Sequence, residues 1–563
     1  MVPAHPPALP DGGGPRTIFP PPLGPREGAG RGGPPFGRAD VPFAQYLLLT
    51  VYYAFLAIVI AVMTYRALLI LRYYRCARQD EEPAERFGER PVVTVQLPLF
   101  NERFVVERLL ETVCALDWPR DKLEIQVLDD STDDTVEITA RKVAELRARG
   151  FDVHHIHRTD RSGYKAGALG AALPHARGDY VAVFDADFVP NADFLRRTVD
   201  HFTDPDVGFV QGRWDYLNRS FSPLTQGMGM LMDGHFVFEQ TVRSRGGYVF
   251  NFNGTAGIWR RAAIQAAGGW QDETICEDTD LSYRAYLAGY RGVYLRGLPV
   301  PSELPVQITA LKSQQHRWAK GLTECFFKVM PGVMKSDFSF RQKVEALFHL
   351  GSNLAFPATL LMTVVTLPVM ILRMEGAAQG QLAAMIDSLV FLLVGATQIL
   401  FYVLATKELH KDWVRRLRWL PFFPLVGVGL AVNNARGALE ALTGLRTEFV
   451  RTPKLGVLGG DKRLVKKRER TYTGGRDFWQ AVIEIGLGTF YVYMAAVQWS
   501  LAGAGAIVTL VLSLGLFMTG GATLRALWLK AQREHGRTVT VEAVEASDVV
   551  PIPNVAPEVV KSL

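Results

Sequence analysis

The strongest constraint on the fold of this 563-residue chain is a set of apolar stretches that are long enough to cross a lipid bilayer. A membrane-spanning helix needs about 20 consecutive apolar residues. Such stretches predict one transmembrane helix at residues 41–75, two at 346–405 and two at 478–530. Residues 90–330 lack them and are therefore expected to fold as a soluble domain between the first and second helices.

Basic residues beside these stretches predict how the chain is oriented in the membrane. Arg72, Arg75 and Arg78 follow the first stretch, and residues 407–418 form a second basic run. Because cytoplasmic loops carry an excess of Lys and Arg, we predict an external N-terminus, with the soluble domain and the C-terminus in the cytoplasm. The net charge of +6 then indicates the inner face of the plasma membrane as the partner of the basic segments, and not nucleic acid.

A further apolar segment, residues 421–442, is interrupted by polar residues and by Pro424. If it crossed the membrane, the strongly basic residues 446–470 would lie outside, against the usual orientation of positive charge. We therefore predict an interfacial helix followed by a basic loop over residues 418–470. The other predicted parts are a disordered Pro- and Gly-rich segment (1–40), an interfacial linker (331–345) and a flexible tail (531–563).

The soluble domain alternates between strand-like and helix-like patterns. Its predicted strands are VVTVQL, LEIQVL, FDVHHIHR and YVAVFDAD, and segments with helical periodicity separate them. This alternation predicts an α/β fold with parallel strands and right-handed crossovers. Polar pairs follow three of the strands: Asn101 and Glu102, Asp129 and Asp130, and Asp185 and Asp187. Because parallel strands end at one edge of a sheet, these pairs predict a ligand-binding crevice there.

The D-x-D sequence formed by Asp185 and Asp187 ends an apolar run. Side chains alternate along a strand, so both carboxylates are expected on one side, where they can share a divalent cation. A hard cation held by two carboxylates keeps open positions for phosphate oxygens, as Mg²⁺ does with nucleotides. The alternative is an ordinary solvated turn after a strand, which D-x-D alone would favour.

Three acidic residues, Glu277, Asp278 and Asp280, crowd the start of a predicted helix. Acidic residues are stabilising at a helix N-terminus, so simple capping is the alternative to a chemical role. Capping accounts for one of these carboxylates more easily than for three.

The segment SQQHRWAKG places Gln314, Arg317 and Trp318 on one face of a predicted helix. An Arg side chain can bind a diphosphate with two parallel hydrogen bonds, and a Trp ring can stack on a sugar. A surface Arg beside a core Trp explains the same residues equally well.

Together these motifs resemble those of the membrane-embedded family 2 glycosyltransferases, and within them the cellulose-synthase-like mannan and glucan synthases of plants. The matching strings are VQLPLFNE (95–102), QVLDDSTD (126–133), GYKAGAL (163–169), DAD, FNGTAGIWR (252–260), GGW with ED, and QQHRW (314–318). Each string is a weak signal alone, but their shared order is specific.

The resemblance implies an α/β GT-A fold that binds a nucleotide-diphospho-sugar, with Mg²⁺ or Mn²⁺ on Asp185 and Asp187 and with Asp278 as general base. The residues that it implies for nucleotide-sugar binding are Glu102, Asp129, Asp130, Lys165, Gln314 and Arg317. Those that it implies for the acceptor are Asn253, Glu277 and Trp318. The string FVRTPK resembles the gating loop of processive synthases at Phe449, Thr452 and Lys454, but it carries Arg451 where that pattern has Val.

These residues would suit a single displacement, in which one base activates an acceptor that attacks an α-linked sugar diphosphate and gives a β-linked product. The leading hypothesis is an inverting enzyme that elongates a β-1,4-glucan or mannan from UDP-glucose or GDP-mannose at the bilayer. The alternative enzyme is a glycolipid synthase that adds one or two sugars to diacylglycerol or another lipid. A non-catalytic transporter or scaffold is a third hypothesis, against which the D-x-D pair and Asp278 argue.

Overall fold

The structure is a computed structural model that describes residues 40–76, 81–375, 377–445, 452, 454–456, 475–502 and 505–534. The predicted disordered segment up to residue 39, most of the predicted basic loop and the tail from residue 535 lie outside these described residues.

A seven-stranded sheet forms the centre of the soluble domain, with the strand order β3-β2-β1-β4-β6-β5-β7. The strands are β1 (Val93–Leu99), β2 (Leu123–Asp129), β3 (Asp152–His157), β4 (Tyr180–Val183), β5 (Val207–Tyr216), β6 (Gly257–Arg260) and β7 (Arg291–Ser302). The predicted parallel pairing is confirmed for β1 to β4, whereas β6 runs antiparallel to both β4 and β5. The sheet is therefore mixed, as in GT-A folds.

The α-helices of the described chain lie before, between and after these strands. Those up to β7 are α1 (Asp40–Arg75), α2 (Val106–Cys114), α3 (Thr135–Ala148), α4 (Tyr164–Ala172), α5 (Phe194–Thr198), α6 (Pro223–Gly234), α7 (Gln240–Arg245), α8 (Arg261–Ala266) and α9 (Glu277–Leu287). Those after β7 are α10 (Ile308–Lys335), α11 (Phe340–Gly351), α12 (Ala355–Glu375), α13 (Ala377–Leu409), α14 (Trp413–Arg416), α15 (Phe422–Gly429), α16 (Ala431–Leu442), α17 (Gly475–Ala502) and α18 (Gly505–Glu534).

Apolar cores on both faces of the sheet fix the edge at which β1, β2 and β4 end. One core joins Val95 of β1 to Leu109 of α2. The other joins Val183 of β4 to Leu169 of α4 and Leu281 of α9. These side chains are fully buried, and each such burial contributes about 1.5–3 kcal/mol. The cores thus hold the first turns of α4 and α9 close to the end of β4.

Five helical segments are long and apolar enough to cross a membrane, judged by length and composition. They are Phe43–Arg75, Phe340–Leu372, Met385–Leu409, Asp477–Trp499 and Thr509–Gln532. The second segment begins in α11, so the predicted linker at 331–345 contains the end of α10, a short connection and the start of α11, and its interfacial position stays a prediction. The chain is therefore a multi-pass membrane protein.

The interfacial segment predicted at 421–442 forms two helices, α15 and α16, which meet at Leu430. Helix α16 packs against α10 at very short range. A Cβ atom on Gly437 would lie 2.8 Å from the carbonyl oxygen of His316 and 3.4 Å from Cβ of Ala319. Only a glycine permits this approach of the two backbones.

Candidate active site

The D-x-D carboxylates lie just beyond β4, because the strand ends at Val183. The prediction that strand alternation aligns Asp185 and Asp187 is therefore wrong, and their positions are set by hydrogen bonds in the turn. The backbone N–H of Asp185 donates to Oγ1 of Thr255 over 2.8 Å. Oδ2 of Asp187 accepts from the backbone N–H of Glu303 over 3.0 Å. Asp187 is 1% exposed, so it is not part of a solvated turn.

The second carboxylate oxygen of Asp187 bears on whether Asp185 and Asp187 could hold a cation. Its Oδ1 atom is buried and has no hydrogen-bond partner among the described residues. A buried polar atom of this kind is unfavourable unless a ligand satisfies it. No three His, Cys, Asp or Glu side chains of the described ranges form a metal-ligand cluster. A cation held by Asp185 and Asp187 would therefore keep open positions for phosphate oxygens, which fits Mg²⁺ or Mn²⁺.

Lys165 connects the D-x-D turn to the acidic start of α9. Its Nζ atom donates to Oδ1 of Asp185 over 2.5 Å and to the carbonyl oxygen of Gly254 over 2.8 Å. The same atom lies 4.0 Å from Oε1 of Glu277. Burial lowers the pKa of Lys165, but the charges of Asp185 and Glu277 more than compensate and raise it above its usual value. Lys165 is therefore a charged side chain at the centre of the site.

Asp278 faces this centre across Gly254. Gly254 has φ +76°, and a Cβ atom on it would lie 3.0 Å from Oδ2 of Asp278 and 3.5 Å from Nζ of Lys165. Oδ1 of Asp278 accepts from the backbone N–H of Thr279 over 2.7 Å. Burial, and then the neighbouring charge of Glu277, raise the pKa of Asp278 to about 7. A carboxylate with this pKa can accept a proton near neutral pH.

Asp280, the third acidic residue of this cluster, has a structural role. It is fully buried and forms ion pairs with Nη2 of Arg284, at 2.7 Å, and with Nζ of Lys328, at 3.1 Å. Of the three acidic residues at the start of α9, Glu277 and Asp278 are therefore left as candidates for a chemical role.

Asp129 and Asp130, at the end of β2, are held by side chains that the sequence analysis did not identify. Oδ2 of Asp129 lies 2.9 Å from Nε2 of His155. Both carboxylate oxygens of Asp130 accept from Arg158, over 2.8 and 2.6 Å. Burial raises the pKa of Asp129, but hydrogen bonds from His155 and Ser131 outweigh it and lower the pKa overall.

Helix α10 carries Arg317 and Trp318, and it brings Arg317 close enough to Glu277 for their charges to interact. Nη2 of Arg317 donates to Oγ1 of Thr452 over 2.7 Å, and burial lowers the pKa of Arg317 to about 10, which leaves it charged at neutral pH. The ring of Trp318 lies 6.4 Å from that of Trp214 on β5, which the sequence analysis did not single out. Gln314 is half-buried on the same helix.

The predicted gating loop reaches the D-x-D turn. Nζ of Lys454 lies 2.8 Å from Oδ2 of Asp187, and Thr452 is buried against Arg317. Burial lowers the pKa of Lys454, but the charges of Asp187 and then Glu102 raise it overall. Phe449 and Arg451 lie outside the described residues.

Similarity to known proteins identifies the family of this chain. The family described as Glycosyl transferase family 2 matches residues 94–266. Glucomannan 4-beta-mannosyltransferase 7 of Arabidopsis thaliana is 33% identical over 446 residues, which cover 75% of this chain and 78% of that protein. The chain belongs to glycosyl transferase family 2. Its relatives include further glucomannan 4-beta-mannosyltransferases of Arabidopsis thaliana.

Other relatives of this family 2 glycosyltransferase match over shorter lengths. Glucomannan 4-beta-mannosyltransferase 1 of Oryza sativa subsp. japonica is 41% identical over 285 residues, which cover 49% of this chain and 55% of that protein. The chain thus spans about half the length of this rice relative. A solved mannosyltransferase from Pyrobaculum calidifontis, in complex with GDP-Man and Mn2+, is 22% identical with a TM-score of 0.49, and the match covers 71% of this chain and 100% of that one.

The family match ends at residue 266, before α9 and α10. It includes Asp130, Lys165 and the D-x-D pair, whereas Asp278 and Arg317 lie beyond it. Asn253 lies inside the match, but its side chain meets protein groups: Oδ1 accepts from Nε2 of Gln240 over 2.9 Å. The acceptor role expected for Asn253 stays a prediction.

Proposed function

We propose that this family 2 glycosyltransferase is an inverting enzyme that elongates a β-linked mannan or glucomannan from a nucleotide-diphospho-sugar. The observation that carries the proposal is the position of the Asp278 carboxylate, across Gly254 from the Lys165–Asp185 pair. A base and a site for a diphosphate with its cation are thereby adjacent, as a single displacement requires. The names of the plant relatives favour GDP-mannose over UDP-glucose as the donor.

In the proposed reaction, Asp278 accepts the proton of an acceptor hydroxyl while that oxygen attacks the anomeric carbon of the donor. The new C–O bond forms on the face opposite the diphosphate. The bond from the anomeric carbon to the diphosphate breaks, and its electron pair leaves with the nucleoside diphosphate. An α-linked donor thus gives a β-linked product in one step, and Asp278 later releases the proton to water.

The charge of the leaving diphosphate would be balanced from several sides. Asp185 and Asp187 would hold a divalent cation, which when bound offsets negative charge on the leaving group. Lys165 and Arg317 bring fixed positive charges to the site, and both charges act on Glu277. Lys454 would move from Asp187 to the diphosphate, because the cation and the ammonium group compete for the same carboxylate.

The acceptor chain would enter along α10. The Trp318 indole would stack on its terminal sugar, with Trp214 as the neighbouring wall. Glu102, Asp129, Asp130 and Gln314 complete the proposed nucleotide-sugar site, and Glu277 borders the acceptor. We place the enzyme in the plasma membrane, with the catalytic domain in the cytoplasm where nucleotide sugars are made.

The test uses the purified full chain in detergent, with GDP-mannose or UDP-glucose, Mg²⁺ or Mn²⁺ and a β-linked oligosaccharide acceptor. We expect an insoluble β-1,4-linked polymer that contains mannose, identified by linkage determination. A product that is only a lipid with one or two sugars would overturn the polymerase in favour of a glycolipid synthase.

A further inference from the structure

A buried ion pair ties α10 to the last two membrane helices. Nζ of Lys312 lies 2.7 and 3.0 Å from the two carboxylate oxygens of Glu484 on α17. It also donates to Oγ1 of Thr523 on α18 over 3.1 Å. Lys312 is 5% exposed, and Glu484, which lies inside the candidate membrane span Asp477–Trp499, is 0% exposed.

The polar network continues into α16, so four helices meet at this point. Nδ2 of Asn433 donates to the backbone oxygen of Lys312 over 2.8 Å. Nε2 of Gln480 donates to Oδ1 of Asn433 over 3.2 Å and to Oε1 of Glu484 over 2.9 Å. All of these side chains are buried.

The segment of α10 that this polar network holds also carries Trp318, the proposed platform for the acceptor sugar. Lys312 precedes Trp318 by six residues, a rise of about 9 Å along a rigid helix. Between Lys312 and Trp318, Gly437 of α16 packs closely against the backbone carbonyl of His316. A change in the rotation or height of α10 would therefore move Arg317 and Trp318 relative to Asp278.

Stability alone does not explain a charged pair here. Ionisable groups in membrane helices are unfavourable and usually serve a function. Replacing a buried ion pair by packed apolar side chains is often neutral or stabilising, whereas a polar contact can specify one register of packed helices. The pair at Lys312 and Glu484 can set such a register.

We propose that Lys312 and Glu484 are positioning residues that fix the rotation and height of α10, so that the acceptor platform faces Asp278. The inference rests on the proposed function, since it concerns the acceptor of that reaction. The D-x-D turn follows β4, and Lys165 and Asp278 belong to α4 and α9, whereas Gln314 and Arg317 would reach the donor from α10. A shift of α10 should therefore affect the acceptor more than the donor.

The experiment compares Glu484→Gln, Lys312→Met and the apolar double variant Lys312→Met/Glu484→Leu, as full chains in lipid nanodiscs. Transfer to a β-linked mannooligosaccharide and hydrolysis of the donor by water are measured separately. For all three variants we expect kcat/KM for the acceptor to fall about 10- to 100-fold, because small misplacements have effects of this size. Donor hydrolysis and binding of the nucleoside diphosphate should fall much less than transfer, because only Gln314 and Arg317 among the proposed donor-binding residues belong to α10. The charge-swapped variant Lys312→Glu/Glu484→Lys should recover part of the transfer.

Glu345→Gln is the matched control. Glu345 is also a buried carboxylate in a candidate membrane segment, and its ion-pair partners, Arg243 and Arg72, both at 3.2 Å, do not belong to α10. It should leave the acceptor KM unchanged. An apolar double variant that folds with wild-type acceptor kinetics would overturn the inference, as would equal losses of transfer and hydrolysis. A wild-type enzyme that binds nucleotide but elongates no glycan would instead overturn the proposed function.

Discussion

Asp278 and Asp280 lie two residues apart at the start of α9 and have opposite electrostatic surroundings. Asp280 is neutralised by Arg284 and Lys328. The nearest cation to the Glu277–Asp278 pair is Lys165, which is itself bonded to Asp185. Burial without a dedicated counter-charge favours the protonated acid and raises the pKa of Asp278 to about 7. At the scale of residues, this difference selects the base.

A pH profile checks this assignment. Asp278 must be ionised to accept a proton, and its raised pKa means that ionisation is lost as the pH falls through about 7. We expect kcat/KM for transfer, which reports the free enzyme, to fall about tenfold per pH unit below that value. Asp278→Asn should bind the nucleotide sugar normally and lose transfer at least about 100-fold above pH 7, where the wild-type carboxylate is ionised.

Asp280→Asn is the control for that profile. It leaves Arg284 and Lys328 without their buried counter-charge, which costs about 3–5 kcal/mol, so the melting temperature should fall. The surviving folded enzyme should keep the pH profile of the wild type. A wild-type profile in Asp278→Asn would instead assign the base to another group.

The second residue-scale prediction concerns the cation. Asp187→Asn removes the charge at the carboxylate whose Oδ1 atom has no hydrogen-bond partner among the described residues. We expect Mn²⁺ binding, measured by calorimetry with the nucleoside diphosphate present, to weaken at least tenfold, and transfer to fall about 100-fold or more. Asp193→Asn, on an exposed side chain of the following loop, should change neither. Full activity of Asp187→Asn in excess chelator would remove the cation from the mechanism.

The sequence predicts the residue types at the sheet edge, but not which of them are already paired. Asp129 and Asp130 follow an apolar strand and are easily identified. Their partners depend on the register of β2 with β3, which places Asp129 opposite His157 and brings His155 and Arg158 within reach. A pairing of this kind is a property of two segments and cannot be read from either alone.

At the scale of elements, the turn at Gly254 joins the two halves of the site. Gly254 comes shortly before β6 in the chain, and the first residue of β6, Gly257, pairs with Val183 at the end of β4. The carbonyl of Gly254 accepts from Lys165 while its Cα faces Asp278. The sequence does not predict the antiparallel β6, because its partners come from distant parts of the chain: Gly257 pairs with Val183 of β4 and with Gln211 of β5.

The third prediction is that Gly254→Ala damages catalysis more than stability. The new Cβ would crowd Oδ2 of Asp278 at 3.0 Å and require a non-glycine residue at φ +76°. Gly247→Ala is the matched control, since Gly247 has φ +69° but nothing within 4 Å of the added atom. Both variants should lose about 1 kcal/mol of folding free energy. Only Gly254→Ala should lose transfer, by about 10- to 100-fold. Equal activities of the two variants would show that the contact with Asp278 has no catalytic effect.

At the scale of the whole molecule, the helices after β7 bring membrane and catalytic parts together. Apolar length predicts helices close to all five candidate spans, because it depends on local composition alone. It does not predict that α10 continues to Lys335 or that α16 packs against it. The packing of α16 on α10 depends on Gly437 and on the hydrogen bond from Asn433 to Lys312, whose partners come from distant parts of the chain.

The last prediction concerns the orientation of these helices. If the catalytic domain is cytoplasmic, the chain leaves the membrane outside after Leu372 and returns inside after Leu409. Leu382 lies in the proposed external connection and Val414 in the proposed cytoplasmic one, and their exposures of 60% and 63% make them a matched pair.

Cysteine variants at these two positions allow the orientation to be measured in intact cells. Cys76 is replaced first, because Cys114, Cys276 and Cys325 are buried. A membrane-impermeant maleimide should label Leu382→Cys directly and Val414→Cys only after the membrane is permeabilised. The opposite pattern would place Asp278 and the D-x-D turn outside the cell, away from cytoplasmic nucleotide sugars, and would contradict both the orientation and the proposed donor.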